Sequence, residues 1–319
     1  MSLTGSSRAD QAGVLAGLAG LGPFFVLDAH PAHSSPVPPW RPLAGLFDVP
    51  GALEAQVAVV REALARASGR PAEAVELRVA ASMAQLGLAA RLICPALGVA
   101  ALTGGLLDVD AAGMRWQPGA SGAVALSIRD DALAAATGCV RDPATLADLL
   151  AAHLLAGPVR ALVEATRAFG VSEQVLWGNV ASVVHGSVAL FGAADLAGAD
   201  LAGADLARAD LARADLAGAD SARADLAGRA KAIVAGLLSQ PPLRDRHHGS
   251  DPEGSDPDGS DPDGSDQDGK QRGFRRRSCC LVYRLTDSAA PVCGDCVLDR
   301  APAPARRGRN GGEGRALSR

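Results

Sequence analysis

Between Ala52 and Ser68 the apolar positions Leu53, Val57, Val60, Leu64 and Ala67 recur at steps of three or four. That spacing puts them on one face of an α-helix, which Gly69 and Pro71 then end. A second helix is expected from residue 73 to about 92. Pro95 limits it, because an interior proline lacks a donor and clashes with the preceding turn. The period then shortens. Residues 114–117 and 124–128 read as two short strands, with a turn over 118–122 where Pro and Gly gather. From Asp142 the helical period returns. Asp-Pro is a good helix entry, Pro158 should kink or break the run, and Ser172 is placed to cap the next helix. Its reciprocal capping box is incomplete, since the required acidic or amide position is Val175. Residues 22–27 are apolar and aromatic and read as a buried strand, and 30–42, with five prolines, as loop.

Further along, two five-residue patterns replace ordinary periodicity. Ala-Asp recurs at 194, 199, 204, 209, 214, 219 and 224, and a Leu follows each pair except the one before Ser221. The unit resembles the pentapeptide repeat, whose proteins wind into a four-sided β-helix. Seven units make fewer than two coils, too few to bury a core by stacking. The expectation is therefore an Ala-rich helix lengthened by repeat expansion. Asp205/Arg208, Asp210/Arg213 and Asp220/Arg223 support it at i, i+3, while Gly198, Gly203, Gly218 and Gly228 weaken it. Residues 249–269 contain only Gly, Ser, Asp, Glu, Pro and Gln, cannot form a core, and read as a disordered acidic linker. A calcium loop is disfavoured there, because the EF-hand spacing is missing.

Composition adds a class. Hydrophobic residues make up 48% and aromatics only 3%, with Ala and Leu prominent, which suits helices packed through small side chains. The fold class expected is α+β: a predominantly helical body with a few short strands, plus a small C-terminal motif. The chain divides into a loose N-terminus (1–20), a body (21–193), the repeat insert (194–228), a helix and loop of the body (229–248), the linker (249–270), the motif (271–300) and a disordered basic tail (301–319). A net charge of −4 and the lack of a basic stripe interleaved with aromatics argue against nucleic acid. The N-terminus carries no basic leader with an apolar core, and the longest apolar run, 92–107, is interrupted by Pro95 and glycines. A cytoplasmic protein with no membrane span and with reduced thiols is expected.

Four of the six cysteines then fall within one short stretch: Cys279, Cys280, Cys293 and Cys296. In a reducing compartment they read as metal ligands before disulfides. Cys293 and Cys296 have zinc-type spacing, whereas adjacent cysteines in an extended segment point to opposite faces. A [2Fe–2S] cluster takes two thiolates per iron and spreads its ligands over two ions, so it accommodates the adjacent pair more easily. Spacing alone leaves zinc and iron–sulfur both open. Cys94 and Cys139 lie in apolar surroundings and read as packing cysteines. His153, His185, His247, His248 and Trp177 read as structural before functional, and no Gly-rich dinucleotide fingerprint is present.

The stretch Phe274-Arg275-Arg276-Arg277-Ser278-Cys279-Cys280-Leu281-Val282-Tyr283-Arg284-Leu285, closed by Cys293-Gly294-Asp295-Cys296, resembles the C-terminal motif of the FhuF family of ferric-siderophore reductases. Pro23-Phe24-Phe25, Trp40-Arg41-Pro42-Leu43, Arg78-Val79-Ala80-Ala81-Ser82, Ala90-Arg91-Leu92 and Leu176-Trp177-Gly178-Asn179-Val180-Ala181-Ser182 extend the resemblance to actinobacterial members. It departs in the loop Thr286-Asp287-Ser288-Ala289-Ala290-Pro291, longer and without the Gly-rich turn, and in the two inserts. The resemblance implies a [2Fe–2S] cluster on the four cysteines and one-electron reduction of a ferric siderophore in the cytoplasm. It further implies a donor protein such as a ferredoxin or flavoprotein. Arg275, Arg276, Arg277 and Arg284 would attract the anionic siderophore or the donor. Against that, these arginines could simply pair with Asp295, Asp299 or the acidic linker. Backbone N–H groups of Gly294 and Asp295 are candidate donors to the sulfurs. An iron–sulfur carrier or sensor without a siderophore site, and a zinc-stapled interaction protein, remain the alternatives.

Overall fold

The computed structural model describes residues 8–119, 122–137, 140–193, 209–248, 274–285, 293 and 295–298. The expected linker, most of the loop between the cysteine pairs, Gly294, Asp299, the tail and Cys139 lie outside these residues, as do positions 194–208 of the repeat. Helices dominate and strands are few and short. They are α1 (Arg8–Leu21), α2 (Ala44–Asp48), α3 (Ala52–Ser68), α4 (Leu77–Thr103), α5 (Asp130–Ala136), α6 (Pro143–Leu150), α7 (Arg160–Arg167), α8 (Glu173–Ala193) and α9 (Ala209–Ser239). The strands are β1 (Asp28–His30), β2 (Arg41–Pro42), β3 (Arg115–Pro118), β4 (Val124–Arg129), β5 (His247–His248) and β6 (Arg275–Arg276). The first four form one sheet in the order β1-β4-β3-β2, and β5 pairs with β6.

The axis of the molecule is α4, buried from Arg91 to Ala101 and packed against α1, α3, α8 and α9. It runs straight through Pro95, where the sequence pointed to a stop. A mid-helix proline costs about 3 kcal/mol, and burying every side chain from Leu92 to Ala101 outweighs that. Gly98 lets the neighbours close in: a Cβ there would lie 2.4 Å from Leu18 of α1 and 2.9 Å from the Phe25 ring. Phe25 in turn meets Phe191 of α8 edge-on, centroids 5.2 Å apart.

Residues 22–27 are turn and irregular chain, and the strand begins only at Asp28. Their carbonyls are taken by a side chain in place of a neighbouring strand. Arg91 of α4 donates to Pro23 O at 2.7 Å, Phe24 O at 2.9 Å, Val26 O at 2.6 Å and Val124 O at 2.7 Å. One guanidinium fork thus fixes the entry to β1 and the start of β4. Those two strands pair in parallel, Asp28 opposite Ser127, and β3 and β4 form the expected hairpin with Trp116 opposite Leu126. From Arg8 on, where a loose N-terminus was expected, the chain forms α1 and buries Leu18 and Leu21.

The remaining helices follow their signals. Gly69, left-handed at φ 65°, closes α3. Asp142 caps α6 by accepting from Thr145 N at 3.0 Å. The run kinks next to Pro158, as that proline's signal indicated. It passes through a π-helical turn, Ala151–Val159, whose kink falls at Gly157 (φ −98°, ψ −113°). Helix α9 continues across the expected insert boundary at 228 and buries Leu226, Ala230, Ile233, Leu237 and Leu238. Leu77–Thr103 and Pro143–Arg167 are long and apolar enough to cross a membrane, yet 67% and 50% of their apolar windows are buried, and a core helix meets the same description.

Two expectations follow. Arg91→Met strands four carbonyls and should lower the unfolding free energy by roughly 3 kcal/mol, read from the urea midpoint. Burial pushes the Cys94 thiol up from 9.0 to about 12. An unfolded thiol ionises near its ordinary value while the native one holds its proton. Stability should therefore fall as pH rises from 9.0 toward 12, by at most about 1.4 kcal/mol per unit. Thiol labelling of the native protein at pH 8 should leave Cys94 unmodified.

Candidate functional site

The cysteine motif is anchored on the α4–α8 contact by alternation. From Phe274 to Cys280 the chain is extended, and Phe274, Arg276, Ser278 and Cys280 all turn inward while Arg275 and Arg277 face out. Phe274 stacks between the rings of His185 and His247, with centroids 4.2 and 5.0 Å away. β6 pairs with β5, and Arg277 N donates to Arg246 O at 2.8 Å. Ser278 donates to Gln174 O at 3.0 Å and sits directly over Gly178 of α8, where a Cβ would come within 2.2 Å of its Oγ.

Beneath the sulfurs lies one buried polar network. Asn179 of α8, fully buried, donates from Nδ2 to Ser82 O, Ser82 Oγ and Gln85 Oε1 at 3.0–3.2 Å. Its Oδ1 accepts from Arg276 Nη1 at 3.0 Å. Ser82 Oγ donates to Cys280 O at 3.0 Å. Arg276 also ion-pairs with Asp295 at 3.2 Å, donates to Cys293 Sγ at 2.6 Å, and its backbone N donates to Asp295 O at 2.9 Å. Ser182 of α8 donates a short hydrogen bond to the Asp295 carboxylate. Burial works against the Arg276 charge, and Asp295 with Cys280 and Cys293 more than offset it, so its pKa is raised.

The four thiols lie together, with two short sulfur–sulfur contacts. Cys280 and Cys293 sulfurs are 3.6 Å apart, and Cys279 and Cys296 sulfurs 3.9 Å. A disulfide needs about 2.05 Å, so neither pair is bonded. Two thiolates bound tetrahedrally to one metal at about 2.3 Å lie about 3.8 Å apart, which both pairs match. Among the described residues no three or more His, Cys, Asp or Glu side chains converge as ligands of one ion. The neighbours Cys279 and Cys280 are not segregated by these contacts, because the Cys279 thiol also interacts with Cys280. Leu281, at φ 72°, turns the chain so that its N–H donates to Cys279 Sγ at 3.3 Å, and Leu298 N–H reaches Cys296 Sγ at 3.4 Å. These two leucines are backbone donors to sulfur that the sequence did not single out, and Gly294, a candidate donor, lies outside the described residues. Hydrogen bonds from the Cys279 and Cys293 thiols hold the Cys280 pKa down, and the same bonds push Cys279 and Cys293 up.

The arginines separate by direction. Arg275 and Arg277 are exposed, as docking residues need to be. Arg276 is not available for docking: its side chain is 2% exposed and its charge points inward. Its pairing with Asp295 follows the structural alternative for this run. Arg284 is half-buried and bound to Glu76 at 2.7 Å, which spends part of its charge. Asn179, Ser82 and Ser182 carry no chemical signature of their own and were visible only inside resembling segments. The inward turn of Arg276 had a signal in the two-residue alternation with Phe274, Ser278 and Cys280. Trp177 is a core residue, 1% exposed, and His153 lies on the surface. A separate polar cleft of about 360 Å³ is lined by Asp28, His30, Trp40, Arg115 and Ser127, with His30 Nδ1 2.7 Å from Ser127 Oγ.

Gly178→Val should push Ser278 off α8 and break its bond to Gln174. The expected outcome is loss of the motif's protease resistance with unchanged far-ultraviolet circular dichroism of the helical body. Retained resistance would contradict the docking described.

Residues 189–228 match the pentapeptide-repeat family, with eight copies. Within that match 189–193 end α8 and 209–228 begin α9, so the described part is helical and not a β-solenoid. No curated protein matches the chain.

Proposed function

We propose that this chain is a one-electron reductase of ferric-siderophore complexes, with Cys279, Cys280, Cys293 and Cys296 holding a [2Fe–2S] cluster. The observation that supports the reading is the gathering of four sulfurs, with the Cys280–Cys293 and Cys279–Cys296 contacts at 3.6 and 3.9 Å, which offers two thiolates for each of two irons. When bound, such a cluster supplies single electrons at a potential tuned by charge and by hydrogen bonds to sulfur. The substrate is ferric ion, a hard cation held by siderophore oxygens. One electron converts it to ferrous ion, which those oxygens hold far less well. Neither a nucleophile nor a proton relay is required.

The chain's own residues then have three tasks. Ser82, Asn179 and Ser182 hold the motif against the helical body. Leu281 and Leu298 donate N–H groups to sulfur and spread its negative charge. Exposed Arg275 and Arg277, with Arg284 beside Glu76, give the surrounding surface a positive character. That surface suits an anionic siderophore or an acidic donor such as a ferredoxin. A donor protein such as a ferredoxin or flavoprotein supplies the electron, and the reaction belongs in the cytoplasm.

The test is stopped-flow oxidation of the dithionite-reduced protein by a ferric hydroxamate without oxygen. Saturable reoxidation is expected, with one ferrous ion captured by a chelator per electron lost. Reoxidation that ignores the ferric complex would remove the siderophore step and leave only an electron carrier.

A further inference from the structure

We infer that Arg276 is a positioning residue that sets the redox poise of the cysteine centre, a role that rests on the electron-carrying reading above. Arg275 and Arg277 lie in solvent, where water and salt screen their charges. Arg276 is different. Its side chain is 2% exposed, and its Nη2 lies 2.6 Å from Cys293 Sγ. A fixed buried cation against a ligand sulfur stabilises whichever state of the centre is more negative. Gaining one electron makes the centre more negative, so Arg276 favours the reduced form and raises the potential.

The position is over-determined, as a tuning charge requires. Nη1 is held by Asn179 Oδ1 at 3.0 Å, Nη2 by Asp295 Oδ1 at 3.3 Å, and the backbone N by Asp295 O at 2.9 Å. Only a planar fork with five donors reaches an amide, a carboxylate and a sulfur at once. Asp295 opposes the effect by placing a negative charge beside the same sulfur. Ser182 donates to that carboxylate and draws part of its charge away. Poise is therefore a balance between a buried cation and a partly neutralised anion, both carried by the motif.

A purely structural role predicts that breaking either side of this ion pair loosens the motif alike. An electrostatic role predicts opposite signs. The experiment is an anaerobic redox titration of the full chain, followed by visible absorbance and by the paramagnetic signal of the reduced state. Arg276→Gln should lower the reduced-to-oxidised ratio at a fixed potential about tenfold, a downward shift of about 59 mV. Arg276→Lys should recover part of it, and Asp295→Asn should shift the ratio upward. Shifts of the same sign in R276Q and D295N, or none in variants that retain two irons, overturn the proposal and leave the reductase reading intact. If R276Q fails to retain iron, D295N decides alone: an upward shift supports the proposal, and no shift or a downward one overturns it. A wild-type chain that holds no iron overturns both readings.

Discussion

A buried side-chain amide must find partners for its oxygen and its nitrogen, or the fold loses about 1–3 kcal/mol for each group left bare. Asn179 meets that demand by joining three elements. Its nitrogen grips Ser82 and Gln85 on α4, and its oxygen accepts from Arg276 in the cysteine motif. The contact between the two long core helices and the seat of the cysteines are therefore one network. The motif is short, and of its inward-facing Phe274, Arg276, Ser278 and Cys280 three are polar or thiol, so it has little apolar area with which to dock. Phe274, sandwiched by two histidines, is its main apolar anchor. The rest of its docking depends on hydrogen bonds that α4 and α8 present in fixed positions and on its pairing with β5.

This division of labour explains the architecture upstream. Helix α4 has to stay straight from Ser82, under the cysteines, to Arg91, which holds the turn before β1 and the start of β4. A break at Pro95 would separate Ala96–Ala101 from the packing of α1 and α9 against the same rod. The π-helical turn before α7 and the close approach at Gly98 are local departures from ideal geometry that let neighbouring helices fit around this rod.

Much of the fold was legible where local signals and burial agree. The apolar stripe of α3, the Asp142 cap and the β3–β4 hairpin all have short-range causes. The misreadings share a different cause. Pro95 forbids a helix only when packing does not compensate, and residues 22–27 look like a strand only until Arg91 takes their carbonyls. In the site, the four cysteines stand out in any reading of the chain. The short 280/293 and 279/296 sulfur contacts depend on the turn at Leu281, which spacing does not determine. Three consecutive arginines look equivalent in sequence, and the alternation of an extended chain makes the middle one a buried charge. The repeat shows the limit of pattern from the other side. A five-residue period matches a β-solenoid family, while in residues 209–228 Ala content and continuity with the buried end of α9 favour a helix.

The central claim is that the four sulfurs hold two irons. The most direct measurement is the iron, inorganic sulfide and zinc content of the chain purified without oxygen, with its visible spectrum. The account predicts two irons and two sulfides per chain, with charge-transfer absorption that bleaches on reduction. A colourless chain with one zinc and no sulfide would contradict it and make the four cysteines a structural clasp.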